Sequence, residues 1–571
     1  PAELRRRPSP PPSGLPMGHS ASSAAPRPWD VSEGAWPEGR AQARQGSRSH
    51  SSGSGRSLHG DYEVHSKVLG RGSNKNAVLL ATSRAGGRAC AVKTLHAGSS
   101  HEARRRAESE VRIMLSLDHP HVVRLWDVYF EQDGKVHLVM EYLSGGELFF
   151  RVARQGALPE REAAAATAQV LRAAGYLHAS GVAHRDLKPE NFLYESKDPE
   201  AALRLIDFGF AKLLEPNKLM HRCCGSLMYV SPEVLSHEGY THKCDMWSVG
   251  VITYLLLMGH PPFRGNDRDL RRMIKAGSVD LMQRAVGKWN SLSQEATDFV
   301  KSLLVKDPAR RPSAQEMILH PWLIRSGATR CAVLPLSGRM VRSLQVYVNA
   351  PPMERAVLQV VAQELPGGTA PQMRDVFLSL DLANQGTLNV RDVQEALLKA
   401  CRQDGAALAQ EDADRLMRAL ADVWDSRVTY SSFLAAVLEP SAALDPDATQ
   451  AAFRRLDADL SGSLGVEDLQ RSFGDRLLAE ADFVEWVHQH STDGSEGEVD
   501  AKAFVQMLST RSDASAAAEL AGEDDSPRAA SSSRQALFAR EPYASPRAVS
   551  KIELEGVGPQ SQDWDADIFL F

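Results

Sequence analysis

The spacing of hydrophobic residues changes along the chain and divides it into regions of different structure. Residues 62–135 contain short β-branched and apolar runs separated by glycine and asparagine, which is typical of strands, and one helical stretch at residues 101–117. In residues 147–323 the apolar positions follow helical spacing, most clearly at 160–179. Strands followed by helices predict an α+β fold with a small β-rich lobe and a larger helical lobe.

A second helical region follows the two predicted lobes. Residues 324–368 form a bridge that Pro351 and Pro352 divide, and residues 353–365 have helical spacing. Residues 369–510 then repeat a helix-loop-helix pattern four times. We therefore predict an all-α unit behind the α+β domain.

Both ends of the chain have a composition that buries little apolar surface. Residues 1–60 are rich in serine, proline and glycine, and residues 511–571 are rich in serine, alanine and charged side chains. Burial in such segments does not offset the entropy that ordering would cost. We predict a disordered N-terminal extension and a flexible C-terminal tail.

Length, charge and cysteine content narrow the class of protein. With 571 residues, the chain is too long for one hydrophobic core. Its net charge of −6 argues against nucleic acid binding. Its six cysteines are scattered without a C-x-x-C pair, which indicates reduced thiols. The longest apolar stretch, residues 249–258, is too short to span a membrane. We expect a cytoplasmic monomer with no nucleic acid partner.

Candidate chemistry begins with residues suited to phosphate transfer, a reaction in which the protein mainly positions substrates and neutralises charge. Leu69, Gly70 and Gly72 lie between two strand-like runs, where glycine lets the backbone lie close over nucleotide phosphates. Lys93 lies on a predicted strand, and Glu110 lies on the predicted helix of the small lobe. A strand lysine clamped by a helix glutamate is the ion pair expected to reach the α- and β-phosphates.

The predicted linker between the lobes adds contacts to the adenine base. Glu141 can offer its carbonyl and Leu143 its N–H group to the adenine edge. Val78, Ala91 and Leu193 complete the predicted nucleotide set. Together with the glycine-rich turn, these residues predict ATP as the nucleotide.

The run HRDLKPEN at residues 184–191 carries the predicted catalytic group. Asp186 can accept the proton of a substrate hydroxyl, Lys188 can steady the transferred phosphate, and Asn191 can hold Mg²⁺. Asp207, in an Asp-Phe-Gly run behind an apolar strand, is the second predicted Mg²⁺ ligand. These motifs follow one another in a fixed order, which predicts Mg²⁺- and ATP-dependent phosphoryl transfer.

Three further charged residues are predicted to be structural. Glu233 and Arg311 are expected to form a buried ion pair that ties the segment after Asp207 to the large lobe. Asp245 is expected to brace the catalytic loop by accepting backbone N–H groups. Between Asp207 and Gly225 there is no Ser, Thr or Tyr, so phosphorylation within that stretch cannot order it.

Residues 62–323 resemble a eukaryotic protein kinase domain, and the run DLKPEN resembles the serine/threonine type. The runs LDHP at 117–120, GGELF at 145–149 and SPEVL at 231–235 resemble the calmodulin-dependent kinase group. Together with the four helix-loop-helix units, this layout resembles the calcium-dependent protein kinases of plants and alveolate protists. The resemblance implies a two-lobed kinase fold followed by an EF-hand, calmodulin-like domain.

The same resemblance implies what the chain acts on and how it is controlled. It implies protein substrates with basic residues near the target hydroxyl, which Glu147 and Glu190 would recognise. It also implies that residues 324–368 form an intramolecular inhibitory segment, in which Arg339 and Arg342 can imitate a basic substrate. One departure lies in the glycine-rich turn, where Lys75 stands near the place of a third glycine and the next valine comes one residue late.

One of the four repeats has the residues that an EF-hand loop needs, namely oxygen ligands at positions 1, 3, 5, 7, 9 and 12 and glycine at position 6. In residues 457–468, side chains serve at positions 1, 3, 5 and 12 and a backbone carbonyl at position 7; the ligands are Asp457, Asp459, Ser461, Ser463 and Asp468. Aspartate at position 12 reaches less far than glutamate, which tilts the site toward Mg²⁺. We predict one Ca²⁺ site here.

The other three repeats are degenerate as ion sites. Residues 381–392 keep Asp381, Gly386 and Asp392 but place alanine and glutamine at positions 3 and 5. The second repeat ends its loop in Ser432, and the fourth has Ala503 at position 12. We expect these repeats to be structural partners with little or no ion binding.

A short N-terminal motif suggests a membrane contact. The run MGHSAS at residues 17–22 fits the myristoylation pattern M-G-x-x-x-[ST], which would acylate Gly18 if translation began at Met17. One myristoyl chain binds membrane only marginally, and nearby arginines would supplement it.

Two alternatives to a calcium-regulated kinase remain open from the residues. One is a kinase of the same build without calcium control. The other is a catalytically silent scaffold that binds partners through its helical C-terminal half. Phosphate transfer measured with calcium and with chelator separates the three.

Overall fold

The structure is a computed structural model of the chain. It describes residues 49–51, 56–72, 77–97, 100–131, 133–277, 287–329, 334, 336–366, 371–403, 415–416, 418, 427–438, 445–473, 480–491 and 497–509. Gly18, Lys75, the predicted tail at residues 511–571 and most of the predicted N-terminal extension lie outside these residues. No helix among them has the length and apolar character needed to cross a membrane.

The small lobe is a six-stranded sheet with one long helix against it. Neighbouring strands lie in the order Ser49–Ser51, Leu125–Phe130, Lys135–Glu141, Ala89–His96, Ala77–Ser83 and Tyr62–Arg71. The helix His101–Ser116 begins at Ser100, whose side chain accepts the N–H of Ala103, and buries its apolar face on the sheet. This arrangement matches the strand-rich pattern and the single helix predicted for residues 62–135.

Order begins earlier than the sequence predicts. Ser49–Ser51 pairs in parallel with Leu125–Phe130, and a helical turn, Leu58–Asp61, precedes the first long strand. Leu58 and Tyr62 are buried in a small apolar cluster that includes Trp126. The predicted disorder up to residue 60 is therefore wrong for Ser49–Ser51 and Leu58, because some of their partners, such as Val128 and Trp126, lie more than 60 residues further along the chain.

The large lobe is helical, with two short antiparallel ribbons at its junction with the small lobe. The ribbons pair Phe192–Tyr194 with Leu203–Leu205 and Val182–Ala183 with Lys212–Leu213. The α-helices are Leu148–Gln155, Glu160–Ala179, Pro232–Ser236, Lys243–Met258, Asp267–Ala276, Gln294–Leu303, Ala314–Met317 and Pro321–Arg325. The helix Lys243–Met258 is buried on nearly every face, so it forms the centre of this lobe.

The C-terminal region is a separate helical core. Two helices that we call the junction helices, Gly338–Asn349 and Pro352–Glu364, contribute to it. The other helices are Pro371–Leu380, Val390–Gln403, Tyr430–Val437, Pro446–Leu456, Val466–Phe473, Glu480–His490 and residues 501–509. Two-residue strands join the loops in pairs: Leu388–Asn389 with Arg427–Val428, and Ser463–Leu464 with Val499–Asp500.

Candidate active site and ion-binding loop

The small lobe supplies a lysine that two carboxylates hold in place. Lys93 Nζ lies 2.6 Å from Glu110 Oε1 and 2.7 Å from Asp207 Oδ1. Burial opposes the charge on this lysine, but the two carboxylates raise its pKa above the ordinary value, so it stays protonated. The structure therefore forms the predicted ion pair and adds Asp207 to it.

The large lobe brings the three predicted catalytic residues together in the loop after Val182–Ala183. Lys188 Nζ lies 3.3 Å from Asp186 Oδ2. The side-chain amide of Asn191 donates to the backbone carbonyl of Asp186 at 2.8 Å. The Asp186 carboxylate is therefore held beside a cation, in a loop whose position is fixed by its own side chains.

Asp245 braces this loop from behind. Its buried carboxylate accepts the backbone N–H groups of His184 at 2.9 Å and Arg185 at 2.8 Å. Arg185 has a φ of 69°, a conformation that costs energy in a residue with a side chain. The two hydrogen bonds stabilise that conformation, which confirms the predicted brace.

A second buried carboxylate ties the following segment to the large lobe. Glu233 Oε1 lies 2.8 Å from Arg311 Nη1, and both side chains are buried. Arg311 also donates to the backbone carbonyls of Val305 and Lys243, so its remaining N–H groups are satisfied. The predicted structural ion pair is confirmed.

Ser226 is a site residue that the sequence reasoning missed. Its hydroxyl accepts from Lys188 Nζ at 3.0 Å, and its N–H donates to Asp186 Oδ1 at 2.8 Å. It therefore touches both the candidate base and the candidate phosphate-steadying lysine. A signal was present, because Ser226 is the first hydroxyl residue after Asp207.

The segment after Asp207 is held by hydrogen bonds and an ion pair to other parts of the chain. The Arg185 guanidinium donates to the Phe210 carbonyl at 2.7 Å and to the Tyr240 hydroxyl at 3.3 Å. The Tyr240 hydroxyl donates to the Arg222 carbonyl at 2.5 Å, and the Arg222 side chain pairs with Glu102 of the small-lobe helix at 3.1 Å. These contacts tie the segment to the catalytic loop and to the small-lobe helix.

The predicted nucleotide contacts come from both lobes, with Leu193 in the large lobe and the strand residues in the small lobe. Gly70 pairs with Val78 across the first hairpin, whose register shifts between Val64 and Gly70. The apolar candidates are buried, or partly buried against the same core; they are Leu69, Val78, Ala91, Leu143 and Leu193. Glu141 is buried at the end of the strand Lys135–Glu141, and Gly72 follows the strand Tyr62–Arg71.

The two candidate substrate-recognition residues are carboxylates that are partly withdrawn from water. Burial and the neighbouring Glu190 carboxylate raise the pKa of Glu147 to about 6. Burial likewise raises the pKa of Glu190, whose Oε2 atom is buried with no hydrogen-bond partner among the described residues. A cationic side chain placed between them would satisfy both carboxylates.

The third loop, residues 457–468, brings three carboxylates together. Ligand atoms of Asp457, Asp459 and Asp468 lie within 4.8 Å of one another, and no other such acidic, histidine or cysteine group occurs in the described residues. Burial and neighbouring carboxylates raise the pKa of Asp457 and of Asp468. The Ser461 hydroxyl donates to the Ser463 carbonyl at 3.0 Å. This oxygen-only set fits a hard divalent cation.

Backbone amides give the third loop its shape. Asp457 accepts the N–H groups of Ser461 and Gly462, each at 3.1 Å. Asp468 accepts the N–H groups of Ala458 at 3.1 Å and Gly465 at 3.0 Å. The carboxylates at the two ends of the loop are therefore oriented by the chain itself.

The first loop, residues 381–392, has the same internal bonds but lies against the large lobe. Asp381 accepts the N–H groups of Gln385 at 2.9 Å and Gly386 at 2.6 Å. Asn384, which is 1% exposed, donates to the Leu171 carbonyl of the helix Glu160–Ala179 at 3.2 Å. The loop therefore packs against the large lobe at Asn384 and Gly386.

Other charged groups complete this contact. Arg172 donates to the Leu378 carbonyl at 3.1 Å, and its positive charge acts on Asp381. Asp118 accepts the N–H and the hydroxyl of Ser431, each at 2.9 Å. Asp118 and Arg172 belong to the kinase-like lobes, so they join the helical region to those lobes.

Comparisons with known proteins agree with this geometry. A family model described as the protein kinase domain matches residues 62–323. A calcium-dependent protein kinase of Oryza sativa subsp. japonica is 33% identical over 452 residues, which cover 78% of this chain and 77% of the relative. One of Arabidopsis thaliana is 32% identical, covering 70% of this chain and 79% of the relative. One of Plasmodium berghei is 30% identical, covering 71% and 72%. This chain belongs to the calcium-dependent protein kinases.

In this calcium-dependent protein kinase family member, the junction helices pack in the C-terminal core and contact the small lobe. Leu344, Tyr347, Val357 and Val361 of these helices are buried in the C-terminal core. The end of the second junction helix contacts the small lobe through Arg88 and Arg124. In the described residues, the predicted inhibitory segment thus packs in the C-terminal core and contacts the small lobe at Arg88 and Arg124.

Proposed function

We propose that this calcium-dependent protein kinase family member transfers the γ-phosphate of ATP to serine or threonine residues of proteins, under the control of Ca²⁺. The observation that carries the proposal is that Lys93, Glu110 and Asp207 form one charged group and that Asp186, Lys188 and Asn191 form another. Charges are costly to withdraw from water unless they are paired, and the pairing here keeps Lys93 charged and fixed in position. Mg²⁺-ATP, held by Lys93, Asn191 and Asp207, would supply the phosphoryl group.

The catalytic loop has the groups that the transfer needs. Asp186 takes the proton of the attacking hydroxyl, because its carboxylate is oriented by Ser226 N–H and lies next to Lys188. Lys188 places a positive charge where negative charge develops on the transferred group. Lys93 holds the nucleotide's phosphates, and Glu110 keeps that lysine in position.

Basic residues near the target hydroxyl are the substrate feature that we propose for recognition. Glu147 and Glu190 repel each other and are partly withdrawn from water. A guanidinium from the substrate would relieve that repulsion and bond to the unpartnered Glu190 oxygen. Glu147→Gln should therefore raise the KM for a basic peptide and leave the KM for ATP unchanged.

We propose that the C-terminal region is an EF-hand domain in which the third loop alone binds Ca²⁺. Ligand atoms of Asp457, Asp459 and Asp468 converge, and paired two-residue strands link this loop to its neighbour. The ion would favour the described arrangement over one in which Arg339 and Arg342 of the segment 324–368 block the substrate site.

One assay tests the kinase activity and the calcium control together. Phosphate transfer to a basic peptide is measured with Ca²⁺ and with chelator, for the full chain and for Asp186→Asn and Asp468→Ala. We expect transfer with Ca²⁺, a strong loss in Asp186→Asn, and loss of calcium stimulation in Asp468→Ala. Equal rates with and without Ca²⁺ would contradict calcium control, and no transfer under any condition would indicate a scaffold.

Location and assembly are proposed from the sequence. We propose a cytoplasmic monomer whose Gly18, when N-terminal, is myristoylated and adds a weak membrane contact. Mass spectrometry of the native N-terminus tests the acylation: an unmodified residue upstream of Gly18 would contradict it. Light scattering of the purified chain tests the monomer.

A further inference from the structure

We propose that Arg124 is a positioning residue for ATP, which links the adenine-binding residue Glu141 to the end of the second junction helix. The inference rests on the proposed kinase function. Arg124 lies outside the predicted nucleotide set, immediately before the strand Leu125–Phe130. Its backbone contacts Glu141 in the predicted linker between the lobes, which we call the hinge, and its side chain contacts the C-terminal region.

The side chain of Arg124 caps a helix. Its Nη1 donates to the carbonyls of Ala362 at 3.1 Å, Gln363 at 3.1 Å and Leu365 at 2.7 Å. The last carbonyls of a helix have no partner within the helix, and the helix dipole makes this end negative. A guanidinium therefore satisfies both the hydrogen bonds and the charge at the end of Pro352–Glu364.

The backbone of Arg124 is bonded to the hinge twice. Its N–H donates to Glu141 Oε1 at 2.8 Å, and its carbonyl accepts the Glu141 N–H at 3.0 Å. Glu141 is also the residue whose carbonyl is predicted to meet the adenine edge. A displacement of Arg124 would therefore move the adenine contact directly, through two hydrogen bonds.

The helix end that Arg124 holds is itself fixed. Glu364 is 4% exposed and pairs with Arg88 at 3.1 Å and with Arg455 at 3.3 Å. Arg88 in turn lies over the Trp126 ring, 3.6 Å from its centre. A carboxylate at a helix C-terminus is unfavourable by itself, so two guanidinium groups are needed to keep it buried. The junction helix thus offers Arg124 a rigid anchor.

This arrangement predicts an effect on nucleotide binding rather than on phosphoryl transfer. Arg124 contacts Glu141, whereas Asp186, Lys188 and Asn191 lie in the large lobe with their own partners. Loss of the anchor would therefore weaken ATP binding and leave the transfer step unchanged.

Steady-state kinetics of the full chain with saturating Ca²⁺ test the proposal. Arg124→Ala should raise the KM for ATP by about tenfold, within the usual range of coupling between sites, and change kcat and the peptide KM by less than about twofold. Arg124→Lys, which keeps a donor for the helix carbonyls, should recover most of the ATP affinity. If Arg124→Ala fails to fold, Arg124→Lys is the variant whose KM for ATP is compared with that of the unmodified chain.

Arg355 offers a matched control. Its guanidinium also donates to two carbonyls, but both lie within the junction segment itself, at Val348 in the first junction helix and at Ala350 directly after it. Arg355→Ala should therefore leave the KM for ATP unchanged. An unchanged KM for ATP in Arg124→Ala would overturn the proposal, and so would an equal change in kcat and both KM values, which indicates a general structural role.

A binding measurement separates this proposal from the kinase proposal. Coupling is reciprocal, so a non-hydrolysable ATP analogue should slow amide hydrogen exchange at the C-terminal end of Pro352–Glu364, and this slowing should disappear in Arg124→Ala. Absence of slowing in the unmodified chain would overturn the role of Arg124. Absence of phosphate transfer alone would overturn only the proposed function.

Discussion

The first loop, residues 381–392, and the third loop, residues 457–468, share a backbone shape but differ in what surrounds them. In both, the aspartate at position 1 accepts the N–H groups at positions 5 and 6. In both, position 4 has a positive φ, 50° at Asn384 and 65° at Leu460. The third loop has three converging carboxylates, whereas the first has alanine and glutamine at positions 3 and 5.

The environments of the two loops explain how one shape serves two roles. The third loop leaves Asp459 and Leu460 exposed to solvent. The first loop is pressed against the helix Glu160–Ala179, with Arg172 providing positive charge near Asp381. Because Asp381 accepts N–H groups of its own loop, the loop keeps its shape although residues that would bind an ion have been lost. It can then serve as a surface that packs against the large lobe.

The largest expected difference concerns the glycine at position 6 of each loop. Both glycines have positive φ, 69° at Gly386 and 84° at Gly462. A Cβ on Gly386 would lie 2.8 Å from Tyr176 Cγ and 2.9 Å from His119 Cδ2, whereas a Cβ on Gly462 would meet nothing within 4 Å. Gly386→Ala should therefore destabilise the folded chain by about 3 kcal/mol or more, and Gly462→Ala by about 1–2 kcal/mol.

The melting temperatures of both variants are measured in buffer that contains a chelator, so that ion binding does not contribute to the difference. A larger drop for Gly462→Ala than for Gly386→Ala would show that the first loop is not packed against the large lobe as described.

The second prediction compares the aspartates at position 1. Asp457→Asn removes one of three carboxylates and should lower the affinity for Ca²⁺ by about 100-fold, because ligand charge sets affinity in such loops. Asp381→Asn removes the corresponding carboxylate of the first loop and should leave Ca²⁺ affinity and stoichiometry unchanged. Isothermal titration calorimetry measures both.

One bound Ca²⁺ per chain is the expected stoichiometry for the unmodified protein. A second site that disappears in Asp381→Asn would show that the first loop binds an ion after all, and the comparison between the two loops would fail.

The smallest expected effect concerns position 12. Asp468→Glu lengthens the ligand and permits bidentate coordination, which should raise the preference for Ca²⁺ over Mg²⁺ by about tenfold. Asp392→Glu makes the same change in the first loop and is the control, because no change in ion preference is expected there. Competition of Mg²⁺ against Ca²⁺ in titration measures the preference. A lower preference in Asp468→Glu would mean that the loop is closed too tightly for the longer side chain.

The catalytic group and the third loop could be predicted from the sequence, because each consists of ligands spaced along a short stretch. Asp186, Lys188 and Asn191 lie within six residues of one another, and the third loop spans twelve. Local spacing determines which side chains such a stretch can bring together, so no distant partner had to be known.

The sequence by itself therefore determined the two lobes, the order of the site motifs and the loss of ligands from the first loop. Only the tertiary structure decided what that loop contacts, that Ser226 lies between Lys188 and Asp186, and that Arg124 joins Glu141 to the junction helices. These contacts link residues up to more than 200 positions apart. They depend on how complete surfaces pack, which spacing within a short segment does not specify.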